Sequence, residues 1–386
     1  MIYGGKSQNG GQREKIMKIG ALAGAAVFFA GWAARKWLGK RKLGGNQWKR
    51  TFGVKEGIDL RINLVMRDMD VGDYDKKIIS LLAQLTDVGT IRKSFFLDRL
   101  AILKEDPLQR IIVIEDVKQK QLLATGTLCI EPKFIHMAGF AGHIEDVVVD
   151  GPFRGKGLGS KVVRKLVNLA KMYGCYKVIL DCKKHNVAFY EKLGFFVKEV
   201  QMALYFPETQ TADEISLAQY ISKVETMGDN LVARQLSKSD LEKGDFVNLL
   251  GQLTTVGSIP EAFLKKRLEL LRKSNRELMF VIEDTKLEKI VAAGTLLVEY
   301  KFIHSAGKCA HIEDVVVDKN CRGRGLGKKI VCKLRDAAKL LGCYKCILDC
   351  SKKNVGFYEK CGFKENEVCM ALYFDGSHRK KKAVSS

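Results

Sequence analysis

The chain has 386 residues, 46% of them hydrophobic, and a formal net charge of +22. That length and apolar content suit two globular domains, each with its own core, and exclude a disordered or fibrous chain. The charge suggests a nucleic-acid binder until it is located: residues 1–58 hold 12 basic against 2 acidic residues and Arg379–Lys382 adds four more, so the body between carries only +8 and no nucleic-acid partner is expected.

Residues 1–18 are polar and glycine-rich, and 19–34 then gives 16 residues without a charge, followed by Arg35, Lys36, Lys40, Arg41 and Lys42. The run is shorter than the roughly 20 residues of an ordinary spanning helix, but flanking Lys and Trp extend its reach. It carries no cleavage site and reads as a short N-terminal hydrophobic helix that anchors the chain, with the heavier positive flank keeping the domains in the cytosol. A soluble cytoplasmic chain is the alternative.

The first domain is expected over 59–206. Strands are predicted at 62–66, 111–115, 121–131, 144–149, 176–182 and 197–206, with helices at 74–85, 93–104 and 186–193 and another where Val162, Val163, Leu166, Leu169 and Ala170 recur at helical spacing before Gly174. Residues 207–228 read as a linker, 229–374 as a second domain and 375–386 as a basic tail. The second domain repeats the first: 83–206 and 251–374 align at a constant offset of 168 with a little over half the positions identical. A repeat this long means two whole domains rather than solenoid units. Mixed strands with helices on both faces place each in the α/β class.

Eleven cysteines are an odd number in a long chain, which argues for reduced thiols. Cys343, Cys346 and Cys350 resemble a metal cluster, yet a strand would not point them all one way, and Val178 stands where Cys346 stands in the other copy. They read as buried structural residues, and no metal is expected.

Each copy is organised around one stretch, HIEDVVVDGPFRGKGLGS at 143–160 and HIEDVVVDKNCRGRGLGK at 311–328. An apolar strand runs through a short loop into a glycine-rich turn and then an amphipathic helix. Glycines let the backbone approach a ligand, Arg154, Lys156, Arg322 and Arg324 add positive charge, and a helix start offers unpaired N–H groups. Together these make a phosphate cradle. The absence of a Gly-Lys-Ser/Thr ending excludes the P-loop of nucleotide triphosphatases.

Arg154-Gly155-Lys156-Gly157-Leu158-Gly159 and Arg322-Gly323-Arg324-Gly325-Leu326-Gly327 resemble the acetyl-coenzyme A pyrophosphate loop of the GNAT acetyltransferases. More narrowly, each copy resembles the glucosamine-6-phosphate N-acetyltransferases, through GQLTTVGSI (251–259), AAGTLLVEYKFIH (292–304), HIEDVVV, LGCYKCILDC (341–350) and NVGFYEKCGF (354–363). The resemblance implies two tandem GNAT-type mixed-sheet domains. It also implies an enzyme that moves acetyl from acetyl-coenzyme A to D-glucosamine 6-phosphate by direct transfer, on the route to UDP-N-acetylglucosamine.

By the same resemblance, the loops through Ser160 and Lys328 hold the pyrophosphate. The backbones of Val147, Val148, Val149, Val315, Val316 and Val317 pair with the pantetheine arm, and Asn186 and Asn354 touch the cofactor. Thr86, Lys133 and His136, and in the second copy Thr254, Lys301 and His304, are implied in sugar-phosphate recognition. Glu145, Asp146, Glu313 and Asp314 are expected to line the sugar. Tyr190 and Tyr358 stand where a hydroxyl meets the leaving thiolate; the alternative for them is core packing. Tyr205 and Tyr373 occupy a position where some members carry a phosphate-binding arginine. No role is assigned to His143 or His311.

The family works as a homodimer, so the two copies are expected to form an intramolecular pseudo-dimer. In it the site of domain one would be completed by Tyr344, Lys345 and Asp349, and that of domain two by Tyr176, Lys177 and Asp181. Other functions left open are acetylation of a polyamine or protein lysine, and a membrane-bound binding module without catalysis.

Overall fold

The computed structural model describes residues 63–207, 214–228, 230–274 and 276–375. The hydrophobic run at 19–34 and the tail beyond 375 lie outside them. No helix among the described residues is long and apolar enough to cross a membrane.

The first repeat runs β1 (Leu64–Asp68), α1 (Ile78–Leu82), α2 (Lys93–Glu105), β2 (Gln109–Asp116), β3 (Gln121–Pro132), β4 (Phe140–Val149), α3 (Leu158–Met172), β5 (Cys175–Cys182), α4 (Val187–Glu191) and β6 (Phe196–Tyr205). Between the repeats, 207–228 is more than a linker. It holds α5 (Glu214–Ser222) and β7 (Glu225–Gly228), and β7 pairs with β8 (Leu231–Gln235). Tyr220 seals this segment: its hydroxyl donates to the Lys333 carbonyl at 2.8 Å, and the Lys333 ammonium lies 3.8 Å from its ring centre and 2.9 Å from Glu225. The second repeat continues with α6 (Lys238–Glu242), α7 (Asp245–Leu250), α8 (Glu261–Ser274), β9 (Glu277–Asp284), β10 (Lys289–Tyr300), β11 (Lys308–Val317), α9 (Leu326–Leu340), β12 (Lys345–Cys350), α10 (Val355–Glu359) and β13 (Lys364–Tyr373).

The strands form one sheet in the order β1-β2-β3-β4-β5-β13-β6-β12-β11-β10-β9-β8-β7. Within each repeat neighbours are antiparallel until the parallel pair β4–β5 or β11–β12. The last strand then leaves its own repeat. β13 pairs with β5, β6 pairs with β12, and the two exchanged strands pair with each other. Sequence periodicity leads to one sheet per domain; it shows that a strand exists but not its neighbour, because the apolar face of Val200 and Met202 can be buried by either copy.

α3 and α9 lie on this sheet. Val162, Val163, Leu166 and Ala170 of α3 are all fully buried, so truncating Leu166 to Ala would cost about 2–5 kcal/mol. Gly126 of β3 allows the approach, since a Cβ there would meet Val162 at 2.8 Å. The middle of the sheet curls strongly: the rings of His143 on β4 and His311 on β11 meet edge-on at 5.4 Å, although four strands separate them in the sheet order. The 11 cysteines are free thiols, ten of them buried.

Candidate active site

β4 and β5 pair only from Phe140 to His143, and β11 and β12 only from Cys309 to His311. Beyond those points the strands diverge. Asp146 and Asp314 stand at φ 52° and 53°, beside a register shift against β3 and β10, the signature of a bulge that bends a strand. The inner edge of Val147–Val149, and of Val315–Val317, is thereby left without a strand neighbour and can pair with an extended ligand arm. The side chains of Val148 and Val316 are buried, so the backbone is what these positions can offer.

The loop after β4 is pinned by Gln84, which donates to Asp150 at 2.6 Å and accepts from the Gly151 amide at 2.8 Å. Gln252 does the same for Asp318 and Lys319. Arg154 Nε donates to the Val149 carbonyl at 3.0 Å, and Arg322 reaches Val317 at 3.4 Å. Gly155 and Gly157, like Gly323 and Gly325, have φ between 77° and 81°, and the space a side chain would enter is open. No side chain caps the start of α3 or α9, so their first amides face outward to an anion. Leu158 and Leu326 turn their side chains into the core and contribute backbone alone. Lys156, Lys328 and Arg324 rim the loop, the last 3.8 Å from Asp284, and Gly159, Ser160 and Gly327 begin the helices. The loops therefore fit a pyrophosphate. Asn186 and Asn354 stand exposed at the starts of α4 and α10. Tyr190 packs edge-on to Phe189, and Tyr358 to Phe357; burial raises both phenols, which keep their protons and remain donors.

The acceptor side is composite, and three residues of each repeat sit otherwise than the sequence suggests. Lys133 does not join Glu145 and Asp146 of its own copy. Its ammonium pairs with Glu131 at 2.6 Å and, across the repeats, with Glu313 at 2.8 Å and Asp314 at 3.2 Å. Lys301 likewise pairs with Glu299, Glu145 and Asp146 at 2.8, 2.9 and 3.3 Å. Burial opposes the Lys133 charge, but its carboxylates outweigh burial and hold it well above the usual lysine range. Glu313, which burial alone would raise, is pulled down to about 2 by Lys133. A lysine so engaged is poorly available to a phosphate. His136 also crosses over: its amide donates to the Thr255 carbonyl at 2.9 Å and its ring lies 3.5 Å from the Thr254 hydroxyl. His304 donates from its amide to Asp87, next to Thr86.

His136 stacks on Tyr176 and His304 on Tyr344, each at 4.1 Å. Burial and then Lys177 lower the His136 pKa; burial and Lys345 do so for His304. The groups assemble across the repeats. Glu145, Asp146 and Thr86 of the first copy face Lys301, His304, Tyr344 and Lys345 of the second, and the mirror set is Glu313, Asp314 and Thr254 with Lys133, His136, Tyr176 and Lys177. Asp181 and Asp349 depart from the crossed expectation. The parallel register His143↔Ile179 sets Asp181 beside Glu145 of its own copy, and His311↔Ile347 sets Asp349 beside Glu313. Both line the central cleft with His143, Glu145, His311 and Glu313. Asp181 accepts from Gln201 at 2.5 Å. Burial, and then the charge of Asp349, raise Asp181; burial raises Asp349 to about 6.

Several supporting residues escaped the sequence reading. Glu131 and Glu299 bridge lysine and histidine, at 3.0 Å to His143 and 3.2 Å to His311. Arg99 and Arg267, both buried, donate to the carbonyls of Ala306 and Ala138 in the opposite repeat. They hold the segments 136–138 and 304–306, whose residues all have φ between 49° and 63°. Each of these residues, like Gln84 and Gln252, occurs in both copies at the offset of 168, which is the signal that could have found them.

A family model described as the acetyltransferase (GNAT) family matches residues 80–195 and, again, 248–363. The chain belongs to the GNAT acetyltransferase family. Both matched ranges include the glycine-rich turns just described. Among relatives, this GNAT chain is similar to the glucosamine 6-phosphate N-acetyltransferase of Arabidopsis thaliana, 46% identical over 150 residues, or 39% of this chain and 100% of that protein. It is similar to glucosamine 6-phosphate N-acetyltransferase 1 of Dictyostelium discoideum, 43% identical over 145 residues, 38% of this chain and 92% of that one. A probable glucosamine 6-phosphate N-acetyltransferase 2 of Oryza sativa subsp. japonica is 46% identical over 146 residues, covering 36% and 87%.

Proposed function

We propose that each repeat transfers acetyl from acetyl-coenzyme A to the amine of D-glucosamine 6-phosphate, and that the two repeats form a pseudo-dimer within one chain. The observation that carries this is the composite site: an intact cofactor loop and splayed strand from one copy, closed by the lysine, histidine and tyrosine of the other. Whole relatives of the same printed activity match a single repeat.

In the site built on the first loop, the thioester arm lies along Val147–Val149, with the pyrophosphate on Gly155–Ser160. Thr86, His304 and Lys345 take the sugar phosphate, and Glu145, Asp146 and Asp181 face the sugar and its amine. The ammonium must lose a proton before attack, and Glu145 with Asp181 accepts or relays it. A main-chain N–H of the splayed strand stabilises the tetrahedral oxyanion. Tyr190 donates to the departing thiolate, which acquires its charge only as the C–S bond breaks. The second site uses Thr254, His136, Lys177, Glu313, Asp314, Asp349 and Tyr358 in the same way. Coenzyme A release by the full chain tests this: glucosamine 6-phosphate should be a far better acceptor than glucosamine, because the cationic groups are otherwise left unpaired. Equal kcat/KM for the two sugars would overturn it. The uncharged run at 19–34, flanked by basic residues, is proposed to anchor the chain to a membrane with both repeats in the cytosol; recovery of the full chain in a high-speed supernatant would refute that.

A further inference from the structure

The exchange of β6 and β13 delivers more than hydrogen bonds. Cys369 of β13 lies directly opposite Asp181 of β5, and Val368 opposite Cys182. Residues opposite one another in a pair share a face, and so do alternate residues of a strand. The register of β13 against β6 is unbroken from Glu367 to Cys369. Glu367 therefore points to the same face as Asp181, beyond it toward the divergent end of β5. There it comes within electrostatic reach of Glu145 and Tyr190, in the site built on the first cofactor loop. Glu199 of β6 makes the mirror placement: Gln201 lies opposite Asp349, and Glu199 comes within reach of Asp349 and Tyr358 in the second site. Glu199 and Glu367 are equivalent at the repeat offset, so the placement occurs twice.

We propose that Glu367 and Glu199 bind the acceptor's ammonium, each carried by its exchanged strand into the acetyl-transfer site of the opposite repeat. The idea rests on the acceptor reading above. A half-buried carboxylate beside Glu145 is repelled by it, and a cationic amine between them relieves the repulsion. Burial raises the Glu367 carboxyl; Lys345 and Lys183 pull it down and Glu145 pushes it up. The acid is thus held where an arriving cation favours its ionised form.

The test uses the full chain with one loop disabled: Gly325→Trp silences the second site and Gly157→Trp the first, since both positions need φ near 80° and face the open side of the loop. Glucosamine 6-phosphate turnover in each single-loop parent comes first, and its absence would sink the acceptor reading rather than this one. In the Gly325→Trp parent, Glu367→Gln should raise KM for glucosamine 6-phosphate about tenfold, a loss of about 1.4 kcal/mol. Inhibition by glucose 6-phosphate, which lacks the amine, should stay unchanged. In the Gly157→Trp parent, Glu199→Gln should do the same. The proposal is overturned if the effect follows each glutamate's own repeat, if amine and amine-free ligands weaken equally, or if neither KM moves.

Discussion

Replacing Lys133 by Met separates the two roles open to this residue. Its ammonium is 2% exposed and lies 2.6, 2.8 and 3.2 Å from Glu131, Glu313 and Asp314. At an effective dielectric of about 20, the 2.8 Å contact alone is worth about 6 kcal/mol gross, before desolvation is subtracted. Removing one partner from such a buried network leaves like charges facing each other and costs about 3–5 kcal/mol net. For domains of this size, that lowers Tm by about 6–20 °C, measurable by scanning calorimetry at pH 7. Activity adds the directional arm. Lys133 positions Glu313 and Asp314, so Lys133→Met should cripple turnover in the Gly157→Trp chain, where only the second site works. In the Gly325→Trp chain, KM for glucosamine 6-phosphate should stay within about twofold. A Tm drop below about 2 °C, or a large KM rise at the first site, would refute the reasoning and return Lys133 to its own repeat as a phosphate ligand.

Three further outcomes are expected. Asp349 is raised from its ordinary 3.8 to about 6, foremost by burial, so its stabilising protonated form is complete at low pH and is lost as pH rises through 6. Asp349→Asn should therefore be more stable than the parent at pH 8, by at most about 3 kcal/mol, and nearly equal at pH 4 by urea melts; a gain at pH 4 instead would contradict the burial argument. Tyr190→Phe with Tyr358→Phe should lower kcat at least tenfold while acetyl-coenzyme A affinity by calorimetry is preserved, and an unchanged kcat would assign both rings to packing. Arg99→Met removes the donor to Ala306 and frees a segment of unusual backbone, so it should raise acceptor KM at the first site through His304; a change confined to the second site would exclude that path.

Much of the fold was legible because it is local. Alternating or continuous apolar runs bounded by Gly174 and Gly194 locate β4, α3, β5 and β6 to within a few residues. The glycine-rich loops were legible because a positive φ without Cβ contacts leaves a mark in composition. Helix α1 was overestimated: 74–85 carries the right periodicity, but only Ile78–Leu82 is helical. What sequence does not encode locally is partner choice. Lys133 and Glu145 sit in one copy, close in the chain, and nothing in the spacing says that the lysine's ion pairs lie at Glu313 and Asp314. Asp349 shows the reverse failure, since the parallel register keeps it beside Glu313 of its own repeat while Lys345, four residues earlier, reaches the other.

Strand exchange gives the duplication its physical logic. Without β13, the edge of β5 would present unpaired N–H and C=O groups, and β12 would do so without β6. Neither repeat is therefore a closed unit: Lys133, His136, Arg267 and Glu313 meet across the repeats, and so do Lys301, His304, Arg99 and Glu145. Placing both copies in one chain makes that meeting intramolecular. It also lets the two halves diverge where a homodimer could not. Gln201 donates an amide hydrogen to Asp181, whereas the equivalent position facing Asp349 is Cys369, a weaker donor. Asp181 and Asp349 lie close together at the centre, and the charge of Asp349 adds to burial in disfavouring that of Asp181, despite the stronger donor there. Two repeats of one chain thus present different hydrogen-bond donors to their equivalent central carboxylates, through one residue pair on the strands they exchange.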